Sequence, residues 1–178
     1  MKVIAVYGSS ATQPGDADYE SSLAVGRALA EAGFTVMTGG YAGVMEAASR
    51  GAHEAGGHVI GVTTDAIEAF RGGDLRPNQW VVDEVRHATL RERVAHLILH
   101  ADAYVIMPGG LGTLHELVSV WELMRVGDIP QRPILCYGQY WREMLKSLID
   151  SPYISPTYWE ILTFVDTPEQ MIAALKQG

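Results

Sequence analysis

Residues 108–116 read PGGLGTLHE and residues 38–45 read TGGYAGVM. Each run follows a short apolar stretch and leads into a segment with helical spacing. The N–H groups at a helix start lack intrahelical partners and carry partial positive charge, and glycine lets them approach an anion closely. Gly109, Gly110, Gly112 and Thr113 in one run, with Gly39, Gly40 and Gly43 in the other, therefore read as a phosphate cradle, and together they suggest a nucleotide. Ser9, in the Gly-Ser-Ser (8–10) that ends the first apolar stretch, is a further candidate contact. Neither run is a Walker A loop, because no Lys-Ser/Thr follows, and neither has the GxGxxG spacing of a dinucleotide site.

Each of these residues also has a reading without a ligand. Glycine at a strand–helix turn often serves only positive φ or tight packing. Thr113-x-x-Glu116 fits a capping box, in which the glutamate bonds back to the cap residue, and local sequence alone favours that role. Thr89-x-x-Glu92 has the same form and reads as a cap outright. Arg93 by itself reads as a surface ion-pair residue, with Glu92 or Glu84 as partner. Glu46, in the segment after the first glycine run, contacts the ribose or base, or only complements the helix dipole. His96 and His100 have the i, i+4 spacing of a metal pair, but no third ligand is apparent, so no metal is expected. Asp102, just before an apolar stretch, reads as structural.

The elements that must position these residues follow from hydrophobic patterning. Residues 3–8, 34–40, 58–63, 80–85, 102–110, 132–138 and 161–166 read as strands, the glycine-bearing ones running into their loops. Residues 16–32, 43–57, 88–101, 113–125, 139–150 and 167–177 read as helices, and 64–78 as a polar surface loop. Leu90, Val94, Leu97 and Ala101 share one face of the 88–101 helix. Strands alternating with helices imply right-handed crossovers. The expected fold is α/β, a three-layer Rossmann-like sandwich with a mainly parallel sheet, built as one domain over 1–178. Ligands of such sheets sit beyond the carboxyl ends of the strands, where the strand order reverses, and the three glycine-bearing turns fall at strand ends.

Composition narrows the function further. A net charge of −8 argues against a general nucleic-acid-binding surface. No apolar run is long enough for a membrane span, and MKVIAVYGSS lacks the form of a signal peptide. The one cysteine, Cys136, allows no intrachain disulfide and suits a reducing cytoplasm.

PGGLGTLHE resembles the PGGxGTxxE signature of the LOG (Lonely Guy) family, often labelled lysine decarboxylase-like, and TGGYAGVM resembles that family's first glycine motif. The resemblance implies a Rossmann-like fold, a homodimer and no cofactor. It implies a phosphoribohydrolase that cuts a nucleoside 5′-monophosphate, AMP or a cytokinin riboside monophosphate, to the free base and ribose 5-phosphate. It maps the catalytic pair onto Glu116 and Arg93. Three departures stand out: Val94 replaces the family's lysine, Thr38 and Glu46 alter the first glycine motif, and Leu90-Arg91 replaces a Met-His. They point to a divergent branch that includes a molybdenum-cofactor carrier, and so leave open a binding protein without catalysis. Amino-acid decarboxylation ranks third, because Lys2, Lys146 and Lys176 all lie outside the glycine runs.

Overall fold

The computed structural model describes residues 1–73 and 75–177. Seven parallel strands form one sheet in the order β4-β3-β2-β1-β5-β6-β7. They are β1 (Val3–Tyr7), β2 (Thr35–Thr38), β3 (Val59–Thr64), β4 (Asp83–His87), β5 (Ala103–Ile106), β6 (Ile134–Tyr137) and β7 (Leu162–Val165). All residues of β2, β5 and β6 are buried. This is why they read as continuous apolar runs rather than alternating ones.

The helices are α1 (Ala17–Glu31), α2 (Val44–Glu54), α3 (Asp65–Phe70), α4 (Leu90–Leu99), α5 (Leu111–Arg125), α6 (Gln139–Ile149) and α7 (Pro168–Gln177). One core cluster joins the sheet to α4, α5 and α6 through Leu97, Leu117 and Trp141. The second joins its other face to α1, α2 and α7 through Val25, Ala48 and Met171. The three-layer Rossmann-like sandwich expected from the patterning is the fold, with every strand pairing parallel.

Strand order reverses between β1 and β5, which lie side by side with Tyr7 opposite Ile106. The turns after β1 and β5 are thereby brought together, and Ser9 fastens them. Its N–H donates to the Pro108 carbonyl at 3.0 Å, and its own carbonyl accepts the first N–H of α2, from Val44, at 2.8 Å. One residue thus joins all three glycine loops. α1 and α2 touch at glycines: a Cβ on Gly26 would lie 2.0 Å from the Ala48 carbonyl oxygen, and one on Gly51 2.0 Å from that of Leu23.

Four expectations need correction. Residues 64–78 are not all loop: Thr64 caps α3 by accepting the Ala66 N–H, and Asp65 and Glu68 favour its first turn. The fourth strand lies at Asp83–His87 rather than 80–85, because Asn78 ties the preceding chain to the Gly40 and Tyr41 carbonyls. The last strand starts at Leu162 rather than at 161, because the 3₁₀ turn at Pro156–Ile161 takes in Ile161. Leu90 is exposed while Val94, Leu97 and Ala101 are buried, so the core face of α4 starts a turn later. Among the described residues, no helix is long and apolar enough to cross a membrane.

Candidate functional site

A cavity of about 720 Å³ opens over the carboxyl ends of the central strands. Gly8–Ala11, Gly39, Tyr41–Ala42, Met45, Arg93, Gly110–Thr113 and Glu116 line it. Its size suits a small-molecule ligand, and it lies at the reversal of strand order.

The helix after PGG starts earlier than its sequence suggests. α5 begins at Leu111 with Gly110 as its cap residue, and no side chain caps it. Thr113 is therefore the third helical residue, and the capping box with Glu116 does not form. The first N–H groups of α5 are left open toward the cavity, an arrangement suited to an anion. Thr89 and Glu92, by contrast, form the full capping box of α4. α2 offers less, since the Val44 N–H is already taken by Ser9.

The glycines divide into two groups. Gly39, Gly110 and Gly112 line the cavity. Gly40, Gly43 and Gly109 do not, and each is needed for packing. Gly43 has φ 71° and sits against Ser9 and Ser10 backbone, and Gly40 has φ 79° and presses on Thr63. A Cβ on Gly109 would collide with the Thr113 side chain. Ser9 lines the cavity, and its hydroxyl accepts the Ala11 N–H. Glu46 is absent from the lining. Its carboxylate accepts from the Tyr19 hydroxyl at 3.4 Å, because its position on α2 turns it toward α1.

Arg93 and Glu116 meet. The Arg93 Nη1 lies 3.5 Å from the Glu116 Oε1, with the two side chains 5% and 12% exposed. Arg93 is not the surface ion-pair residue that local sequence suggested. Its Nε donates to the Val62 carbonyl at 2.8 Å and its Nη2 to the Gly39 carbonyl at 3.2 Å, and the guanidinium lies 5.9 Å from the centre of the Tyr41 ring. Two backbone carbonyls, one within β3 and one just after β2, thus fix its plane and leave one edge for Glu116. Gly39 is required here, since a Cβ would fall 1.8 Å from the Arg93 Nη2. Burial pushes Glu116 up to about 7, against the opposing pull of Arg93. A carboxyl that titrates near neutrality can take up or release a proton at working pH.

The remaining candidates lie elsewhere. His96 and His100 stack with ring centroids 3.9 Å apart, and among the described residues no group of three or more His, Cys, Asp or Glu is arranged to hold a metal. Asp102 accepts the Val3 N–H at 2.7 Å, a structural tie. Val94 is buried in the core beside α5, so no cation stands where the LOG motif has lysine. Among the described residues, no lysine lines the cavity.

A family profile described as "possible lysine decarboxylase" matches residues 45–175. The chain belongs to this family, the LOG family. A cytokinin riboside 5′-monophosphate phosphoribohydrolase of Mycobacterium tuberculosis is 32% identical over 177 residues, covering 96% of this chain and 91% of that protein. The LOG3 enzyme of the same name from Arabidopsis thaliana is 33% identical over 152 residues, covering 80% of this chain and 66% of its own length. Among solved structures, a molybdenum cofactor binding protein from Rippkaea orientalis superposes with TM-score 0.75 at 23% identity, covering 99% of this chain and 96% of that one. A molybdenum cofactor carrier protein from Chlamydomonas reinhardtii gives 0.74 at 22%, covering 99% and 96%. At such identities these two establish the shared fold alone.

Proposed function

We propose that this LOG-family chain hydrolyses the N-glycosidic bond of a nucleoside 5′-monophosphate, of the AMP or cytokinin riboside monophosphate type, to free base and ribose 5-phosphate. The observation that carries this reading is the Arg93–Glu116 pair, opening into the same cavity as the uncapped start of α5. The 5′-phosphate rests on the N–H groups of residues 110–113, and its binding energy orients the ribose. As the C1′–N bond breaks, its electron pair goes to the base and positive charge builds on the ribose. The Glu116 carboxylate faces that charge and takes a proton from the water that attacks C1′. The departing base picks up a proton, which closes the balance. Arg93 stays charged, holds the carboxylate in place and opposes the rise in its pKa.

The second reading is a carrier that binds a phosphorylated ligand without cutting it. The missing lysine at Val94 favours it, and molybdenum-cofactor proteins share the fold it would need. Base release from AMP and from a cytokinin riboside monophosphate, by wild type and Glu116→Gln in parallel, separates the two. Release by the wild type only supports hydrolysis, and binding without release by either supports the carrier.

The same proposal includes a homodimer through the α4–α5–α6 layer and a cytoplasmic location. Leu99, Leu111, Val118 and Met144 are exposed on that layer, whereas among the described residues α1, α2 and α7 expose no large apolar side chain. The lone Cys136 is buried, as suits a protein that needs no disulfide.

A further inference from the structure

The cavity does not end at the catalytic pair. It runs on under α3 and the turn after it, where Ile67, Phe70, Arg71 and Leu75 complete the lining. In sheet order, the four strands beneath it are β3, β2, β1 and β5. Neighbouring strands lie about 4.8 Å apart, so the span from β5 to β3 is roughly 14 Å, about the length of an extended nucleoside monophosphate. The open helix start is at the β5 end. Arg93, bonded to carbonyls after β2 and within β3 and reaching Glu116 on α5, lies between the two ends.

α3 is built unlike the other helices. Its only buried residue is Glu68, a charged one. Its apolar residues Ile67 and Phe70 line the cavity instead of joining either core, and Phe70 is 85% exposed. The helix is therefore held by polar contacts. Arg86, on β4, grips both oxygens of Glu68 and also donates to Asp65 through Nε at 2.7 Å. Tyr41 pins its start, accepting the Thr64 N–H at 2.8 Å and donating to the Thr64 carbonyl at 3.2 Å. At this end of the cavity, among the described residues, Arg71 is the only charged side chain in the lining, which includes no carboxylate or amide side chain there.

We propose that α3 is the wall that takes the aglycone, with Phe70 and Ile67 holding a flat, purine-sized base by stacking and burial. Arg86 is a positioning residue that holds this wall through Glu68 and Asp65. The inference rests on the phosphate-cradle reading above, but not on whether the bond is cut.

The test compares two probes, AMP and ribose 5-phosphate, which share phosphate and sugar and differ by the base. Titration calorimetry on the Glu116→Gln background measures both without turnover. The expected result is tighter binding of AMP than of ribose 5-phosphate. Phe70→Ala should weaken AMP about tenfold, in the range of aromatic–base stacking, and leave ribose 5-phosphate unchanged. Because Phe70 is outside both cores, this variant should fold normally. Arg86→Ala should lower the same affinity ratio, a readout that general loss of structure would not move because it would weaken both probes alike. In steady-state assays on the wild-type background, both variants should raise KM for AMP more than they lower kcat. An unchanged ratio in both variants overturns the assignment of α3. Failure of both probes to bind overturns the phosphate cradle and this inference with it. AMP binding that depends on Phe70, without base release by the wild type, upholds the wall and refutes the hydrolase.

Discussion

Glu116→Gln should change how stability depends on pH, in a direction that the surroundings of Glu116 dictate. Burial raises this carboxyl from its ordinary 4.5 to about 7. Between those values the folded protein holds a proton that the unfolded chain has released. Stability from this group is complete below pH 4.5 and is lost as pH rises through about 7. At about 1.4 kcal/mol per pH unit, the full loss is about 3 kcal/mol. Glutamine has nearly the shape of the protonated side chain and never ionises, so it escapes that loss. The stability of Glu116→Gln relative to wild type should therefore rise by about 2–3 kcal/mol between pH 5 and pH 8. Urea unfolding at several pH values measures this as a growing difference in midpoint, on the order of 1 M, with unchanged slope. Parallel curves would refute the claim that burial outweighs the pull of Arg93. A wild type that gains on the variant as pH rises toward 5 would mean that Arg93 dominates and holds the folded carboxyl below its ordinary value. The same variant should lose base release at least ~100-fold, so stability would rise where function is lost.

Other expectations follow from particular contacts. Wild-type kcat/KM for a nucleoside monophosphate should rise with pH through about 7 as Glu116 ionises, and Arg93→Met should move that limb to higher pH by removing the charge that opposes burial; a limb that stays in place would detach Arg93 from Glu116. Gly26→Ala should destabilise by about 1–3 kcal/mol despite alanine's better helix propensity, because its Cβ has backbone rather than a flexible side chain in its way; a raised melting temperature would show that α1 and α2 can part freely. Thr89→Ala should cost about 1 kcal/mol in chemical denaturation through loss of the α4 capping box, and an unaltered midpoint would count against that box.

Much of the fold was legible because it depends on short-range patterns. Fully buried strands read as apolar runs, helices as periodic ones, and their alternation implied a parallel sheet. The Thr89–Glu92 box was equally local, since both partners lie within one turn. The identical pattern at Thr113 and Glu116 misled for a tertiary reason. The chain leaves β5 into a loop held by Ser9, so the helix starts at Leu111 and both residues fall inside it. Glu46 misled in another way: sequence put it beside a glycine loop, but the side of α2 it occupies faces Tyr19. The apolar residues of α3 gave no signal, because a six-residue helix held by a distant arginine has no periodicity to detect.

By itself, the sequence determined the order of elements, the glycine-bearing ends of the strands and the kinship with the LOG family, all carried by runs of adjacent residues. The tertiary structure decided which of those residues meet. Arg93 finds its partners 31 and 54 positions upstream and 23 downstream. Only the strand order of the sheet brings such distant positions together, and only that burial, removing the carboxylate's water, gives Glu116 a proton affinity near neutrality.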